Sequence, residues 1–366
     1  MDADVRYLKL AIALGRRGLG QCWPNPSVGC VIVREGRVIG RGRTARGGRP
    51  HAERVALEAA GEAARGATAY VSLEPCSHTG KTPPCAEALI KAGIARVVAP
   101  ITDPDPRVAG RGFEKLRAAG IEVRTDLLQH EAEEALGGFL SRIRRGRPCV
   151  TLKLASSFDG RIATASGHSK WITGPDARRW VHAARARHDA VMVGGGTARS
   201  DDPALTVRDM GVDFQPLRIV VSRRLDVPLM SQLARTAAKT PVWICHGPDA
   251  DEALLQTWNG LGAELLLCAL SEGQLDLSSV LAELGARGLT SVFCEGGSAL
   301  TASLLTADLV DELICFNAGF AIGAEGLPAV GALGLDRLDA AQRFTLATAT
   351  PIGGDVMQSW QRAEQS

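Results

Sequence analysis

Two stretches of the sequence carry residue types that can bind a metal and move protons: His51-Ala52-Glu53, and Glu74-Pro75-Cys76 with Pro83-Pro84-Cys85 beyond it. One imidazole and two thiols with a carboxylate nearby suit a tetrahedral zinc ion that keeps its fourth position for a reactive water. Two thiolates neutralise the dication, so it is held tightly yet still acidifies that water. Glu53 can then carry protons without being a ligand. This chemistry is hydrolytic. A closed site with His78 as fourth ligand is the competing reading, and it leaves Glu53 without a purpose.

A second set of candidates lies at glycine turns. Residues 191–197, ending Gly194-Gly195-Gly196-Thr197, and residues 292–300, containing Glu295-Gly296-Gly297, both read as strand, glycines, helix. Glycine lets a phosphate approach the backbone, and a helix start attracts anions. Neither turn is the G-x-G-x-x-G fingerprint, so a plain tight turn is the alternative. Arg223-Arg224, after the apolar run ending at Val221, suit the 2′-phosphate of NADP or else lie in a solvated loop.

These residues need elements to position them. Pro50 is expected to start a helix that carries His51 and Glu53. Cys76 is expected just after a strand at 68–73. Cys85 should open a helix that stops at Gly93, with a dipole favouring a thiolate. Val5, Leu8 and Ile12 recur at helical spacing, so the chain opens with an amphipathic helix ending near 15–20. Asn25-Pro26 makes a turn before strands at 30–33 and 37–40. Strands at 96–101 and 121–124, a helix at 113–119 and one long helix at 126–145 complete an α/β layer arrangement. Gly146-Arg147-Pro148 is the linker candidate, dividing the chain into 1–146 and 147–366. Beyond it, apolar runs at 150–155, 190–193, 217–221, 242–245, 264–268, 291–294 and 312–316 predict a second α/β domain.

At 366 residues the chain is long enough for two domains. A net charge of +2 and 4% aromatic residues argue against nucleic-acid binding, which uses basic grooves and stacking platforms. Nine cysteines, an odd number scattered through apolar runs, read as reduced thiols in a cytoplasmic protein. The acidic N-terminus is not expected to be a signal peptide, and no apolar run is long enough to span a membrane. A small-molecule substrate fits best.

The H-x-E then P-C pattern resembles the zinc nucleobase deaminases, except that eight residues, Ser77 to Pro84, separate the cysteines. With Gly80-Lys81-Thr82-Pro83-Pro84-Cys85, that spacer resembles the pyrimidine deaminase of riboflavin biosynthesis. In the second half, the motifs at 152–163, 169–175, 193–197, 201–208 and 295–297 resemble the riboflavin-pathway reductase, a relative of dihydrofolate reductase. Together they make the chain similar to the bifunctional deaminase-reductase family. The resemblance implies a cytidine-deaminase-like three-layer α/β/α domain and a dihydrofolate-reductase-like α/β domain. It also implies zinc and NADPH as cofactors, a phosphorylated pyrimidine substrate, and a homo-oligomer, dimer or tetramer.

Carried over by motif, His51, Cys76 and Cys85 are the metal ligands and Glu53 the proton carrier. Asn25 contacts the pyrimidine. Lys153, Asp201 and Glu295 surround the reacting sugar. Ser169, Arg185, Leu205 and Arg208, with Glu295, hold the substrate, the two arginines suiting its phosphate. Ala155, Trp171, Thr197, Asp201, Ser222 and Gly297 hold NADPH. The alternatives are structural: a turn or cap for Asp201, a core position for Trp171, an ion pair for Lys153. Thr44 stands where the family commonly has a histidine, Asp105 stands where asparagine is usual, and residues 316–326 match the reductase only loosely. A nucleoside or tRNA deaminase fused to an unrelated reductase, and a non-catalytic zinc and nucleotide-binding regulator, are the competing functions.

Overall fold

The computed structural model describes residues 2–78 and 83–363, which form two compact units, Met1–Gly146 and Arg147–Ser366. Residues 79–82 of the cysteine spacer lie outside the described residues.

In the first unit the chain runs α1 (Ala3–Arg16), β1 (Gly29–Arg34), β2 (Arg37–Arg43), α2 (Ala52–Ala60), β3 (Thr68–Val71), α3 (Cys85–Ala92) and β4 (Arg96–Val98). It continues through α4 (Arg111–Ala118), β5 (Glu122–Arg124), α5 (Gln129–Ala135) and α6 (Gly137–Arg145). The sheet order is β2-β1-β3-β4-β5, antiparallel around β1 and parallel from β3 onwards. Val31 and Ile32 of β1 are wholly buried, as a strand covered on both faces requires.

Glycines set the layer spacing. A Cβ at Gly29 would lie 1.9 Å from the Ala11 carbonyl of α1, and one at Gly42 would lie 2.5 Å from the Ala52 carbonyl of α2. Gly29 and Gly42 occupy adjacent register positions, pairing with Arg43 and Cys30, so they face opposite sides of the sheet. The two helices therefore cover opposite faces, giving three layers. The expected long helix at 126–145 is two helices: Leu136 leaves helical geometry (φ −105°, ψ 9°) and buries its side chain, with Gly137-Gly138 directly after it.

The second unit comprises β6 (Cys149–Ser157), β7 (Arg161–Ala163), α7 (Pro175–Arg185), β8 (Ala190–Gly194), α8 (Gly195–Asp201), β9 (Leu217–Val221), α9 (Gln232–Thr236) and β10 (Val242–His246). After it come α10 (Glu252–Gly260), β11 (Glu264–Leu267), β12 (Leu270–Ser271), β13 (Gln274–Leu275), α11 (Leu277–Ala286), β14 (Ser291–Cys294) and α12 (Ser298–Thr306). The chain closes with β15 (Glu312–Ala318), β16 (Leu327–Pro328), β17 (Phe344–Ile352) and β18 (Asp355–Arg362). Nine strands form one sheet in the order β11-β10-β9-β8-β14-β6-β15-β18-β17. Every pairing from β11 to β15 is parallel, and the closing hairpin is antiparallel. The hairpin is an addition to the sequence reading. It turns at Gly353-Gly354, and Gly353 has φ +60°, a left-handed value that suits glycine.

The decisive feature of this sheet is that β14 returns between β8 and β6 after the chain has run outwards through β9, β10 and β11. Such a reversal opens a crevice at the carboxyl ends of the strands.

Candidate active sites

In the first unit the metal donors meet where two helices start. His51 is the N-cap of α2, one residue before the helix proper, and Cys85 is the first residue of α3 after its Pro84 cap. Cys76 sits in the connection between β3 and α3. The donor atoms of these three residues all lie within 4.8 Å of one another. His51 Nδ1 is 3.6 Å from Cys76 Sγ and 3.4 Å from Cys85 Sγ. A tetrahedral zinc with ordinary Zn–S and Zn–N bonds needs S···N separations of about 3.6 Å, so the donor set fits that ion as it stands.

Electrostatics agree with this. The Cys76 thiol is pulled down to about 4, first by the Cys85 side chain and then by His51, and the Cys85 N–H donates to its sulfur at 3.4 Å. Cys85 is pushed up by its sulfur neighbour and by burial. The proton those sulfurs share is the one a divalent cation displaces on binding. Glu53, buried in the first turn of α2, is raised to about 7, first by burial and then by the Cys76 thiolate, and its carboxyl hydrogen-bonds Cys85. A carboxyl poised near neutrality can both take and give a proton. His78 does not join the donor cluster; it lines the adjoining pocket, with Nδ1 buried and lacking a hydrogen bond among the described residues.

The pocket above the cluster is lined by Asn25, Thr44, Glu53, His78, Asp103 and Arg107, among others. Asn25 Nδ2 donates to the Gly48 carbonyl at 2.7 Å, which fixes the carboxamide at the wall. Thr44 Oγ1 donates to the Pro26 carbonyl and accepts the Val28 N–H, both at 3.0 Å, so this residue braces the turn that carries Asn25. Asp105 accepts from Arg107 through two side-chain nitrogens, at 2.5 and 3.0 Å, holding the guanidinium at the pocket. Burial raises Asp103 to about 7.

Sequence reasoning missed what Glu74 does. Its buried carboxylate accepts the N–H groups of Asp103 (2.9 Å), Gly110 (3.0 Å), Gly112 (2.8 Å) and Phe113 (3.3 Å), tying the whole 103–113 loop to the metal-ligand segment. A glutamate directly before Pro75-Cys76, ahead of a loop with no obvious anchor, was the available signal.

In the second unit, Lys153 and Ala155 lie on β6, Glu295 follows β14, and Arg185 ends α7. Arg185 grips both Glu295 oxygens, Nε–Oε1 at 2.6 Å and Nη2–Oε2 at 3.1 Å, while Nη1 donates to the Thr206 carbonyl at 2.9 Å. Each of its three guanidinium nitrogens thus makes one hydrogen bond within the protein, and Arg208 is exposed. Lys153 has no ion pair among the described residues, contrary to the structural alternative. Burial lowers it, against an upward pull from Glu295, while Arg185 adds to the lowering.

A second group gathers at the neighbouring strand ends. Thr197 Oγ1 accepts the Gly297 N–H at 3.0 Å, so the two glycine turns are stitched together. Ser222 Oγ donates to Asp226 at 2.6 Å and lies where a side chain on Gly195 would collide with it, 2.8 Å from the ideal Cβ. Gly195 is thus required by close packing against Ser222, whereas at Gly196 an added Cβ would meet nothing within 4 Å. Arg223 is committed to Asp249, with Nη2–Oδ2 at 2.6 Å, and Arg224 lies 3.6 Å from the same carboxylate.

Four expected site residues make no side-chain hydrogen bond to these groups among the described residues. Asp201, exposed at the end of α8, accepts from Ser200 at 2.8 Å. Trp171 is 68% exposed, which excludes the core alternative, and stacks with Arg178 at 4.7 Å. Ser169, partly buried, makes no hydrogen bond to Lys153, Arg185 or Glu295. Leu205 is buried with φ +54° in the segment that leads to Arg208.

Comparison with known proteins identifies both domains. Residues 148–358 match the family described as RibD C-terminal domain, and residues 1–101 match the cytidine and deoxycytidylate deaminase zinc-binding region. The riboflavin biosynthesis protein RibD of Escherichia coli is 42% identical over 365 residues, covering 96% of this chain and 98% of that protein. The chain belongs to the RibD family.

RibD of Aquifex aeolicus is 37% identical, with 99% of each chain covered. Among solved structures, Acinetobacter baumannii RibD is 38% identical with a TM-score of 0.89, and 99% of each chain is covered. The Thermotoga maritima structure, titled diaminohydroxyphosphoribosylaminopyrimidine deaminase/5-amino-6-(5-phosphoribosylamino)uracil reductase, is 33% identical with a TM-score of 0.86 and 99% coverage of each. As a RibD, the chain is a bifunctional enzyme of riboflavin biosynthesis, with a zinc-binding deaminase domain of cytidine-deaminase type and a reductase domain of dihydrofolate-reductase type. No helix among the described residues is long and apolar enough to cross a membrane.

Proposed function

We propose that residues 1–146 hydrolyse the ring amine of 2,5-diamino-6-(5-phosphoribosylamino)pyrimidin-4-one, and that residues 147–366 reduce the ribosyl group of the resulting 5-amino-6-(5-phosphoribosylamino)uracil to ribityl. The observation that carries the first half is Glu53, buried beside a three-donor cluster at the floor of a polar pocket. Bound zinc would supply Lewis acidity and a water acidic enough to act near neutral pH. His51, Cys76 and Cys85 would hold it. Glu53 would accept a proton from the attacking water and deliver protons to the ring nitrogen and the departing amine. Asn25 and His78 position the pyrimidine, and Arg107 draws the phosphorylated end.

In the second half bound NADPH would supply the hydride. Thr197, Ser222 and Gly297, with Ala155, Trp171 and Asp201 at the rim, form the cradle for it. Lys153 and Glu295 meet the sugar carbon's oxygen and manage its proton, with Arg185 keeping Glu295 ionised and aimed. Ser169, Leu205 and Arg208 hold the substrate, Arg208 at its phosphate. The setting is cytoplasmic. A homo-oligomer, dimer or tetramer, belongs to the same reading: β17 is an edge strand exposed across residues 345–351, with backbone groups available for pairing.

The test is NADPH oxidation by zinc-loaded protein given the undeaminated pyrimidine phosphate, with Glu53→Gln beside it. Wild-type consumption should fall by about 10²–10⁴-fold in the variant and return when the deaminated compound is supplied. Absence of consumption with either compound would overturn the assignment, and ammonia release from cytidine or adenosine would replace the substrate class.

A further inference from the structure

The segment Thr206-Val207-Arg208 belongs to no helix or sheet. Its backbone groups are satisfied on both edges by side chains. On one edge the Gln215 carboxamide mimics a neighbouring strand, its Oε1 accepting the Val207 N–H at 2.7 Å and its Nε2 donating to the Val207 carbonyl at 3.0 Å. On the other edge, two residues of one face of α7 do the work: Arg185 Nη1 donates to the Thr206 carbonyl at 2.9 Å, and His182 Nδ1 accepts the Arg208 N–H at 3.3 Å. The strap ends are held as well. Buried Arg218 donates to the Ala204 carbonyl at 3.3 Å, and Gln232 bonds Asp202 through its backbone N–H and side chain, both at 2.6 Å.

We infer that His182 is a positioning residue for the reductase substrate, an acid-sensitive latch that sets where Arg208 stands. This deepens the substrate reading of Arg208 proposed above and rests on it. The imidazole can accept the Arg208 N–H only while Nδ1 is unprotonated. The groups facing it are Arg185 from its own helix, Arg208 and the Thr206 carbonyl from the strap, and Glu295 from the end of β14. Burial and the two arginines hold the imidazole neutral below the ordinary histidine range, against the opposing pull of Glu295 and the carbonyl. The latch is therefore closed at neutral pH. It opens as pH falls through that lowered value, when Nδ1 becomes a donor facing a donor. The loss loosens Arg208 while Lys153, Glu295 and the cofactor cradle keep their own contacts, so it acts on substrate affinity ahead of the hydride step.

The test is steady-state reductase kinetics on the deaminated pyrimidine phosphate from about pH 8 down to about pH 5, at saturating NADPH. Wild type should show KM rising about three- to tenfold on the acid side, the scale of one lost hydrogen bond, with kcat moving less. His182→Ala should carry the raised KM at every pH. His182→Asn, whose amide oxygen can occupy the Nδ1 position and does not titrate, should restore the low KM and flatten its pH dependence. An unchanged KM for NADPH and an unchanged thermal midpoint of the reductase domain report the integrity of each variant. An unchanged KM in His182→Ala, or an acid rise in KM that persists in His182→Asn, overturns the latch. Arg208→Ala separates the two levels. If it leaves KM for the pyrimidine phosphate unchanged, the substrate reading of the strap itself fails; if it raises KM while both His182 variants behave as wild type, only the latch fails.

Discussion

The deaminase domain draws its metal donors from residues 51 to 85, at two helix starts and one connection, and all three donor atoms already stand at zinc-like separations. The site proposed for the reductase domain draws its polar residues from 153, 182, 185, 206–208 and 295, on strands, a helix and a strap that only side chains hold. The difference follows from what each chemistry lacks. Hydrolysis by an ion needs a rigid, short-range donor set, because bond lengths to the metal tolerate little error. Hydride transfer brings its reactive group with the cofactor, so the protein contributes alignment, and alignment can be assembled from distant pieces.

The sharpest way to break this comparison is to remove one donor. Cys85→Ser should abolish zinc binding, read by metal analysis, and reduce ammonia release to background, while reduction of the deaminated substrate continues at the wild-type rate. A parallel loss of reduction would mean that the second site is not independent of the first donor set.

Glu295→Gln probes the assembled site. It removes the carboxylate that Arg185 grips at 2.6 Å and leaves a buried guanidinium half satisfied. Reductase kcat/KM should fall on the order of 10²-fold, with ammonia release untouched. A loss confined to KM would place Glu295 in binding alone.

The mildest effect on chemistry comes from a residue remote from both sites. Asp4 receives both Arg96 Nη1 and Nη2 at 2.8 Å, Arg124 at 2.8 Å and the Tyr70 hydroxyl at 2.8 Å. Arg96 holds its carboxyl well below the usual carboxylate range. Because the folded value is depressed, the stabilisation is fully present above the ordinary aspartate pKa and is lost only as pH falls through the folded value. Asp4→Asn should destabilise the deaminase domain by about 3–5 kcal/mol, read as a lower thermal midpoint. The wild type should show no loss from this pair between about pH 8 and about pH 5. An equal shift for both variants at every pH down to strong acid would show that the charge is immaterial.

How much the sequence disclosed differs between the domains for the same reason. His51, Glu53, Cys76 and Cys85 are scarce residue types at short spacing, so their convergence could be read from the spacing and two expected helix starts. The parallel strands were readable as well, since runs such as Val191-Met192-Val193 are apolar throughout and end in glycine. The strap was not readable. Gln215 and His182 become partners of a backbone segment only after α7 and the residues around 206–215 have packed, and nothing in their neighbours marks them. The pairing of Arg185 with Glu295 was hidden on the same point, because it joins residues remote in sequence. The break at Leu136 was hidden by a helical composition on both sides, although Gly137-Gly138 was visible. The closing hairpin was not legible because β17 is exposed and β18 half-buried, and neither carries a continuous apolar run.

The Gln215 carboxamide carries a consequence for how this enzyme could diversify. A segment laid into a sheet shares its register with every neighbouring rung, so an inserted residue reverses the side chains beyond it. One pinned by a glutamine, a histidine and an arginine has no register to lose. Single substitutions at those contacts can reset its position by small steps, and the catalytic strands beneath need not be rewritten when substrate preference drifts.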